Sequence, residues 1–350
     1  MADKILMKGN EAIAEAAIVA GCRHYFGYPI TPQTEVAAYM AKKMPKIGGV
    51  FLQAESEIAA INMVYGVSST GKRVMTSSSS PGISLKSEGL SYLAGADLPA
   101  LVVNVQRGGP GLGGIQPSQS DYFQATKGGG HGDFRMIVLA PSSVQEMAEL
   151  TVKGFELADT YRMTAMILAD GTMGQMMEPV SLDFAVKEAP EKPWATTGTK
   201  MERKHNIVNS LFLAPEALEK YNFMRYERYR QIEETETMYE EYMMDDAEIC
   251  IAAFGIAARV SKNAINAARK EGIKVGMIRP ITLWPFPKAP FKKAAEKVKS
   301  IISVELSMGQ MIEDVRLASE CKVPVTLCNR VGGMIPTPEQ VLQAIRDAQK

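Results

Sequence analysis

Strand-like and helix-like segments alternate along the first 180 residues, and this alternation constrains the fold more than any other feature of the sequence. The strand-like segments are short and apolar, and residues 98–105 have the composition of a strand buried on both faces. Helical patterns rich in small and apolar residues separate them, as in residues 9–20 and 55–69. Because parallel strands need helical crossovers that cover both faces of the sheet, the pattern predicts a doubly wound parallel α/β sheet.

The alternation stops near residue 188. The segment that follows is charged, rich in Pro, Lys, Glu and Tyr, and lacks a strand pattern, with a helical section around residues 218–242. A second α/β series then runs to the end of the chain. We therefore predict a doubly wound domain over residues 1–188, a linker or helical arm over 189–245, and a smaller doubly wound domain over 246–350.

Charge and hydropathy exclude several classes of protein. Lys+Arg and Asp+Glu both number 39, so the formal net charge is zero and nothing favours nucleic acid or an anionic membrane. The N-terminus lacks a basic segment followed by an apolar core, and no apolar run approaches the roughly 18–20 residues of a membrane span. We therefore expect a cytoplasmic protein.

The cysteines and histidines form no metal-binding pattern. No two cysteines make a C-x-x-C pair, and the three histidines are scattered. We expect buried thiols in a reducing compartment, and no iron–sulfur cluster held by this chain alone. The cysteines are Cys22, Cys250, Cys321 and Cys328.

Three clusters of polar and glycine residues follow strand-like segments, where doubly wound sheets bind ligands. In the first, residues 28–32, two prolines stiffen a loop around Thr31. Thr31 is either an ordinary helix N-cap or a hydroxyl presented to a ligand. In the second, Glu55 and Glu57 open a helix. Either both complement the helix dipole, or one exchanges a proton with a bound heterocycle.

The third cluster is the glycine-rich segment 106–114. Its glycines let the backbone approach a ligand closely, and Arg107 offers a planar fork for a carboxylate or phosphate. The segment lacks the Gly-Lys-Ser/Thr of a P-loop and does not open a helix as a dinucleotide-binding loop would. A further flexible loop, residues 127–133, contains His131, which is either a proton donor or a plain surface residue.

Together and in this order, these clusters resemble the α subunit of the 2-oxoacid:ferredoxin oxidoreductases. The resemblance covers nearly the whole chain, least clearly the arm. The chain most resembles the branched-chain (2-oxoisovalerate) type, because the chain is short and because of the sequence of residues 116–121. The 2-oxoglutarate type is the next most similar. The matching segments are residues 27–32, 55–62, 76–82, 106–110, 129–133 and 329–338.

The resemblance implies a pyrimidine-type thiamine-diphosphate-binding domain over residues 1–188, followed by a transketolase C-terminal-like domain over 246–350. The implied reaction is the coenzyme A-dependent oxidative decarboxylation of branched-chain 2-oxoacids to acyl-CoA and CO₂, with electrons passed to ferredoxin. In this chemistry a glutamate bonded to N1′ of the cofactor favours the imino tautomer, whose 4′-nitrogen then acts as the internal base.

The resemblance also implies roles for individual residues. Glu57 matches the family's N1′-binding glutamate better than Glu55 and would be the catalytic residue. Thr31 and Arg107 would bind the substrate carboxylate, and His131 is a possible further site residue. Cofactor contacts are implied for Glu57, Pro29, Ile30, Ser80 and Pro81.

Two expected features of a complete enzyme are absent from the sequence. No Gly-Asp-Gly with a following Asn marks a diphosphate and Mg²⁺ site, since Asp170-Gly171 lacks the preceding Gly, and no cysteine quartet marks a cluster site. We therefore expect thiamine diphosphate to be shared with a β subunit that supplies Mg²⁺ binding. Iron–sulfur clusters are expected on a ferredoxin-like subunit. A γ subunit, ferredoxin, coenzyme A and an α–α contact complete the expected partners.

Three alternative functions stay open on the sequence. A 2-oxoglutarate enzyme needs an extra cation for the second carboxylate of its substrate. The candidate cations in the sequence are Lys86, Lys127 and Arg135, and none of them distinguishes the two substrates. A non-catalytic scaffold subunit would not need all three candidate site residues. The third alternative is a dehydrogenase or transketolase-type subunit that acts on lipoamide or sugars. The sequences of the first and third clusters match such a subunit poorly.

Overall fold

The computed structural model describes residues 4–349 and contains a seven-stranded, a five-stranded and a two-stranded sheet. The strands are β1 (Lys4–Lys8), β2 (His24–Gly27), β3 (Val50–Gln53), β4 (Val74–Ser78), β5 (Ala100–Gln106), β6 (Ile137–Leu139), β7 (Thr164–Asp170), β8 (Met177–Ser181), β9 (Tyr239–Tyr242), β10 (Ile249–Ala253), β11 (Val275–Pro280), β12 (Thr282–Trp284), β13 (Ser300–Glu305) and β14 (Val325–Asn329).

Helices connect most of these strands. They are α1 (Gly9–Val19), α2 (Thr34–Lys43) with a 3₁₀ turn (Met44–Ile47), α3 (Glu57–Ser69), α4 (Pro81–Gly95), α5 (Tyr122–Thr126), α6 (Val144–Tyr161), α7 (Gly171–Gln175), α8 (Pro215–Thr235), α9 (Gly255–Lys270), α10 (Lys288–Ala294), α11 (Met311–Ala318) and α12 (Pro338–Gln349). Within residues 4–349, none of them has the length and apolar character needed to cross a membrane.

The seven-stranded sheet has the order β12-β6-β7-β5-β4-β2-β3 and is parallel except for β12. Every residue of β4, β5 and β7 is buried, because helices cover the sheet, with α1 packed on α6 and α3 packed on α4. Strands that are buried on both faces have sequences made of continuous apolar or small residues. The doubly wound parallel sheet predicted from the sequence is confirmed.

The five-stranded sheet has the order β14-β13-β10-β11-β9. Its last strand corrects one prediction, since the helix of the arm ends at Thr235 and Tyr239–Tyr242 form a strand. That strand pairs antiparallel with the edge of β11, where Arg279 Nε donates to Glu240 Oε2 at 2.7 Å. A short charged segment adopts strand geometry here because a distant strand offers a free edge, which no local pattern reveals.

The two larger sheets belong to units that pack closely on each other. β12 follows β11 in the chain but joins the seven-stranded sheet beside β6. Gln119 bridges the units, since its backbone N–H donates to the Leu306 carbonyl at 2.9 Å and its Oε1 accepts from the Leu306 N–H at 3.1 Å. Its Nε2 also donates to the Phe254 carbonyl at 2.9 Å. The domain division at residues 188 and 245 stays a prediction.

Candidate active site

Four neighbouring parallel strands end at the same edge of the large sheet. They are β5, β4, β2 and β3, adjacent in that order. Arg107 follows β5, Ser80 follows β4, Thr31 lies in the loop after β2, and Glu57 starts the helix after β3. The structure therefore brings residues from all three sequence clusters together, at the edge where doubly wound sheets bind ligands.

Glu57 points inward from the first position of α3. Ser56 caps this helix by accepting the Ala59 N–H at 3.1 Å. Glu57 is 5% exposed, whereas Glu55 is exposed. Among the residues that the structure describes, no protein group donates a hydrogen bond to the Glu57 carboxylate. Burying a carboxylate without a hydrogen-bond donor costs free energy, unless a bound ligand supplies the donor. Favourable interaction with the helix dipole would not require burial, so it does not explain the buried position of Glu57.

The end of β4 forms a wall of hydroxyl groups beside Glu57. Ser77, Ser78 and Ser79 are fully buried, and Ser80 has a φ of 25°, in a region that non-glycine residues rarely adopt. The Ser78 and Ser79 hydroxyls find no hydrogen-bond partner within the described part of the chain. Such atoms cost free energy when left unpaired, so this wall is suited to a bound polar group.

Arg107 is a buried cation without a counter-charge. It is 7% exposed, and no carboxylate of residues 4–349 forms a salt bridge with it. Its Nη1 donates to the Thr31 carbonyl and its Nη2 to the Leu112 carbonyl, both at 3.0 Å, while its Nε has no partner. Two backbone carbonyls thus hold the guanidinium in place and leave its charge available for an anion.

A polar network holds the backbone of Arg107. Its N–H donates to the Ser80 hydroxyl at 3.0 Å, and that hydroxyl donates to Asp121 Oδ2 at 2.6 Å. Asn104 also donates to Asp121 Oδ2, at 2.9 Å. Burial raises the pKa of Asp121 above its usual range. The sequence clusters did not single out Asp121 or Asn104, because only the fold brings them beneath the site.

The loop after β2 presents Thr31 beside Arg107. The N-cap alternative for Thr31 is wrong, since α2 begins at Thr34 and Gln33 occupies the N-cap position. Thr31 and Pro29 are exposed and Ile30 is half-buried. These side chains are accessible at the same sheet edge, and the contacts implied for them stay predictions.

The segment near the C-terminus packs against the glycine-rich loop. Asn329 is the last residue of β14. Gly333 has a φ of 96°, and a Cβ there would lie 2.4 Å from the Gln116 Cβ. A side chain at Gly108 would approach the backbone of residues 332–333. The contact at Gly108 is an ordinary one, whereas Gly333 permits a close approach between the two units at the rim of the site.

His131 lies away from the other candidate residues. Its ring packs edge-on against Tyr92, with centroids 6.1 Å apart, and its carbonyl accepts from the Ser91 hydroxyl. Ser91 is ten residues along α4 from Pro81, or roughly 15 Å at 1.5 Å per residue. The structure therefore does not bring His131 next to Glu57, and its site role stays a prediction.

Lys86 is a buried cation that the sequence clusters did not assign to the site. It is fully buried in α4, and its Nζ donates to Thr76 Oγ1 at 2.7 Å and to the Ser77 carbonyl at 3.1 Å. Desolvation lowers the pKa of Lys86 to about 7, against a smaller opposing effect of Glu57. The sequence indicated Lys86 only as a candidate cation for a second carboxylate, and no local pattern predicted its burial. Within residues 4–349, no group of three or more metal-ligating side chains is placed to hold a metal ion.

A parallel sheet with this ligand-binding edge, followed by a smaller α/β unit, is the arrangement that the sequence resemblance implied for a thiamine-diphosphate-binding protein of the pyrimidine type. Residues 15–244 match the family model described as pyruvate flavodoxin/ferredoxin oxidoreductase, thiamine diphosphate-binding. Residues 247–341 match the pyruvate:ferredoxin oxidoreductase core domain II. The chain belongs to the 2-oxoacid:ferredoxin oxidoreductase family, as its sequence resemblance predicted.

Two relatives match nearly the full length of the chain. The ketoisovalerate oxidoreductase subunit VorB of Methanothermobacter marburgensis is 52% identical over 343 residues, covering 98% of this chain and 97% of the relative. The 2-oxoglutarate synthase subunit KorA of Methanothermobacter thermautotrophicus is 35% identical over 388 residues, covering 99% of each.

Two solved structures are also similar. The 2-oxoglutarate:ferredoxin oxidoreductase from Magnetococcus marinus, with 2-oxoglutarate, coenzyme A and succinyl-CoA bound, superposes with a TM-score of 0.87 at 30% identity. It is matched over the whole of this chain, which spans 66% of the length of that protein. A split-gene transketolase in an inactive tetramer has a TM-score of 0.62 at 13% identity over 98% of each chain, a likeness in fold alone.

Proposed function

We propose that this chain is the α subunit of a 2-oxoacid:ferredoxin oxidoreductase that acts on branched-chain 2-oxoacids such as 2-oxoisovalerate. It works with partner subunits in coenzyme A-dependent oxidative decarboxylation. The observation that carries the proposal is the meeting of a donor-free buried carboxylate, Glu57, and an uncompensated buried cation, Arg107, at one sheet edge. The 52% identity to a ketoisovalerate oxidoreductase subunit supports the branched-chain substrate.

The residues at this edge fit the aminopyrimidine ring of thiamine diphosphate. The ring offers polar nitrogens, and the site offers the Glu57 carboxylate and the partnerless hydroxyls of Ser78 and Ser79. Ser80 and Pro81 lead from this wall into α4. When bound, thiamine diphosphate would supply the electron sink that decarboxylation of a 2-oxoacid requires.

We infer that Glu57 controls a proton on the ring. Its carboxylate would accept a hydrogen bond from the N1′ position and so hold the proton there. The surrounding wall excludes water, since Glu57 is 5% exposed and Ser78 is fully buried. A hydrogen bond to a carboxylate is stronger in such a low-dielectric setting than in water, and it needs no reorganisation during turnover.

Arg107 and Thr31 would bind the carboxylate that all 2-oxoacids share. The guanidinium bonds to the Thr31 carbonyl, so the two residues form one surface rather than two separate contacts. The guanidinium, held by two carbonyls, would orient the substrate carboxylate. Binding through a group common to all 2-oxoacids explains reactivity toward the class, and selection among its members must come from elsewhere.

Two of the three cations considered for a second carboxylate are engaged. Lys127 pairs with Asp314, and Lys86 is fully enclosed and bonded to Thr76. Arg135 donates one hydrogen bond to the Lys127 carbonyl, at 3.5 Å, and keeps its other donors. Arg135 therefore does not decide between the two substrates, and the support for the branched-chain substrate is the identity to the ketoisovalerate oxidoreductase subunit.

The rim of the site suits a partner subunit. Leu112 is 84% exposed and Met308 is 78% exposed, and Ile115, Val331 and Met334 are exposed as well. Clustered exposed apolar side chains are typical of protein–protein contacts. A β subunit seated here would complete the cofactor site and hold Mg²⁺ and the diphosphate, and iron–sulfur clusters would lie on a ferredoxin-like subunit.

A substrate panel on the co-purified complex tests the proposal. The substrates are 2-oxoisovalerate, pyruvate, 2-oxoglutarate and indolepyruvate, with coenzyme A present and a viologen dye as electron acceptor. We expect the highest kcat/KM for 2-oxoisovalerate. A preference for 2-oxoglutarate would overturn the branched-chain substrate, and no activity with any 2-oxoacid would overturn the proposed function itself.

A further inference from the structure

The buried ammonium of Lys86 lies within the wall that supports Glu57. Lys86 is fully buried and bonds to Thr76 Oγ1 and the Ser77 carbonyl, two neutral acceptors on β4. Moving a cation into such an interior costs several kcal/mol, and a methionine of similar length would fill the space without that cost. A stability role therefore does not explain the charge.

The position of Lys86 on α4 relates it to Glu57. Gly82 and Lys86 are four residues apart, and side chains at this spacing lie on the same face of a helix. The Glu57 carboxylate packs on Gly82, one turn before Lys86. No salt bridge joins Lys86 to Glu57 in the described residues, yet the Glu57 charge opposes part of the lowering of the Lys86 pKa that burial causes. The attraction thus acts across Gly82 rather than by direct contact.

We propose that Lys86 is a positioning residue for Glu57, an inference that rests on the proposed function of the site. Its buried ammonium is the fixed positive charge that balances the Glu57 carboxylate and holds it against Gly82, in the orientation that meets the cofactor ring. Lys86 touches neither substrate nor cofactor and acts through Glu57 alone. The interior location strengthens the attraction, because the local dielectric is low and no salt screens it.

The charge on Lys86 depends on pH near neutrality. Desolvation lowers its pKa to about 7, so the ammonium is present below that pH and lost above it. Glu57 is the charged group that acts on Lys86. Within the described residues, the groups that Lys86 bonds to are neutral, namely the Thr76 hydroxyl and the Ser77 carbonyl. Burial raises the pKa of Tyr25, which bonds to the Ser77 hydroxyl. Activity should therefore decline as Lys86 deprotonates.

The experiment compares the assembled complex with Lys86→Met, Lys86→Gln and Lys42→Met versions of this chain. Glutamine keeps a donor for Thr76 but carries no charge, and Lys42 is an exposed lysine of α2 that serves as the matched control. Three quantities are measured from about pH 5.5 to 9. They are kcat for 2-oxoisovalerate, KM for 2-oxoisovalerate, and the near-ultraviolet circular dichroism of the bound aminopyrimidine.

Both Lys86 variants should lose about tenfold or more in kcat at pH 6.5, equivalent to about 1.4 kcal/mol in the barrier. KM should change little, because Arg107 still holds the substrate carboxylate. The alkaline decline of kcat should flatten, and the dichroism of the bound ring should change. Lys42→Met should match the unsubstituted complex in every measurement.

Several results would overturn the inference. One is a glutamine variant with unchanged kcat, pH profile and dichroism, which would show that the charge is not needed. Another is a loss of kcat with an unaltered pH profile and dichroism, which would mark Lys86 as merely structural. If Lys86→Met fails to assemble, Lys86→Gln decides. An unsubstituted complex inactive on every 2-oxoacid would instead refute the proposed function, and this inference with it.

Discussion

The Glu57 carboxylate lies against the bare Cα of Gly82, and a Cβ at that glycine would stand 2.5 Å from Glu57 Oε1. The same Cβ would stand 2.0 Å from Ser78 Oγ. Glu57 follows β3 and Gly82 follows β4, and β2 lies between these strands in the sheet. The carboxylate therefore reaches across the end of β2, and the absence of a side chain at Gly82 makes room for it.

Replacing Gly82 with alanine should displace Glu57. The added methyl group cannot coexist with the carboxylate and the Ser78 hydroxyl at these distances, so one or both must move. A misplaced catalytic group commonly costs about 100-fold in rate, and we expect a loss in kcat of that order. Steady-state kinetics of the assembled complex measure it.

Gly66→Ala is the matched control for this prediction. Gly66 lies within α3, the same helix as Glu57, and no atom lies within 4 Å of the position of an added Cβ. Alanine there should leave kcat unchanged and stabilise the helix by about 0.5–1 kcal/mol. Equal kinetics for the Gly82 and Gly66 variants would contradict the contact.

Glu57→Gln should abolish 2-oxoacid-dependent dye reduction while the complex still assembles. Glutamine has the same shape but cannot hold the charge or the proton that the cofactor ring requires, and we expect a loss of orders of magnitude. Glu55→Gln serves as the control because Glu55 is exposed two residues away. Normal turnover by the Glu57 variant would refute the assignment of the catalytic residue.

Arg107→Lys should raise KM for every 2-oxoacid by a similar factor. A lysine cannot reproduce two fixed donors to the Thr31 and Leu112 carbonyls while also facing a carboxylate. We expect a loss in kcat/KM of roughly 10–100-fold, which corresponds to about one or two lost charged hydrogen bonds. The substrate panel measures it, and a loss confined to one substrate would show that Arg107 reads the side chain instead.

The stability of the full chain should depend on pH through Lys86. The folded pKa of about 7 lies below the unfolded value of about 10.4, so between these values the unfolded chain binds more protons and stability rises with pH. Lys86→Met removes this rise. Its stability relative to the natural chain should therefore fall between pH 7 and 10, by up to about 1.4 kcal/mol per unit.

Denaturant unfolding of both chains across this pH range measures the difference. A difference in unfolding free energy that stays constant from pH 7 to 10 would show that Lys86 keeps an ordinary pKa in the folded chain. Lys42→Met should show no pH-dependent difference, since Lys42 is exposed.

The chain alone should bind thiamine diphosphate weakly and turn over no 2-oxoacid. Its proposed site would offer a carboxylate and hydroxyls to the ring, and the described residues contain no cluster of metal ligands for Mg²⁺ and the diphosphate. Isothermal titration with and without Mg²⁺ measures the binding. Tight Mg²⁺-dependent binding by the isolated chain would contradict a site divided between subunits.

Local patterns in the sequence determined the parallel sheet and the three residue clusters at its edge. Apolar runs such as β5 predict buried strands, and Gly, Pro and Ser mark the ends of these strands. Both signals depend only on residues that are neighbours in the chain, so the sequence is sufficient to find them. The strand β9 and the crossing of β12 into the large sheet escaped prediction. Edge pairing depends on which distant strand has free hydrogen-bonding groups, and no local pattern records that.

The sequence by itself named Thr31, Glu57 and Arg107 and tied them to one chemistry through the family resemblance. Only the tertiary structure shows that Glu57 is buried, that Glu55 is exposed and that Lys86 is enclosed beside β4. It also shows that the loop residue His131 packs beside the C-terminal part of α4, away from Glu57. The physical reason is the strand order β5-β4-β2-β3, which is set by long-range packing of helices on the sheet. That order, and not spacing along the chain, decides which charges share the site.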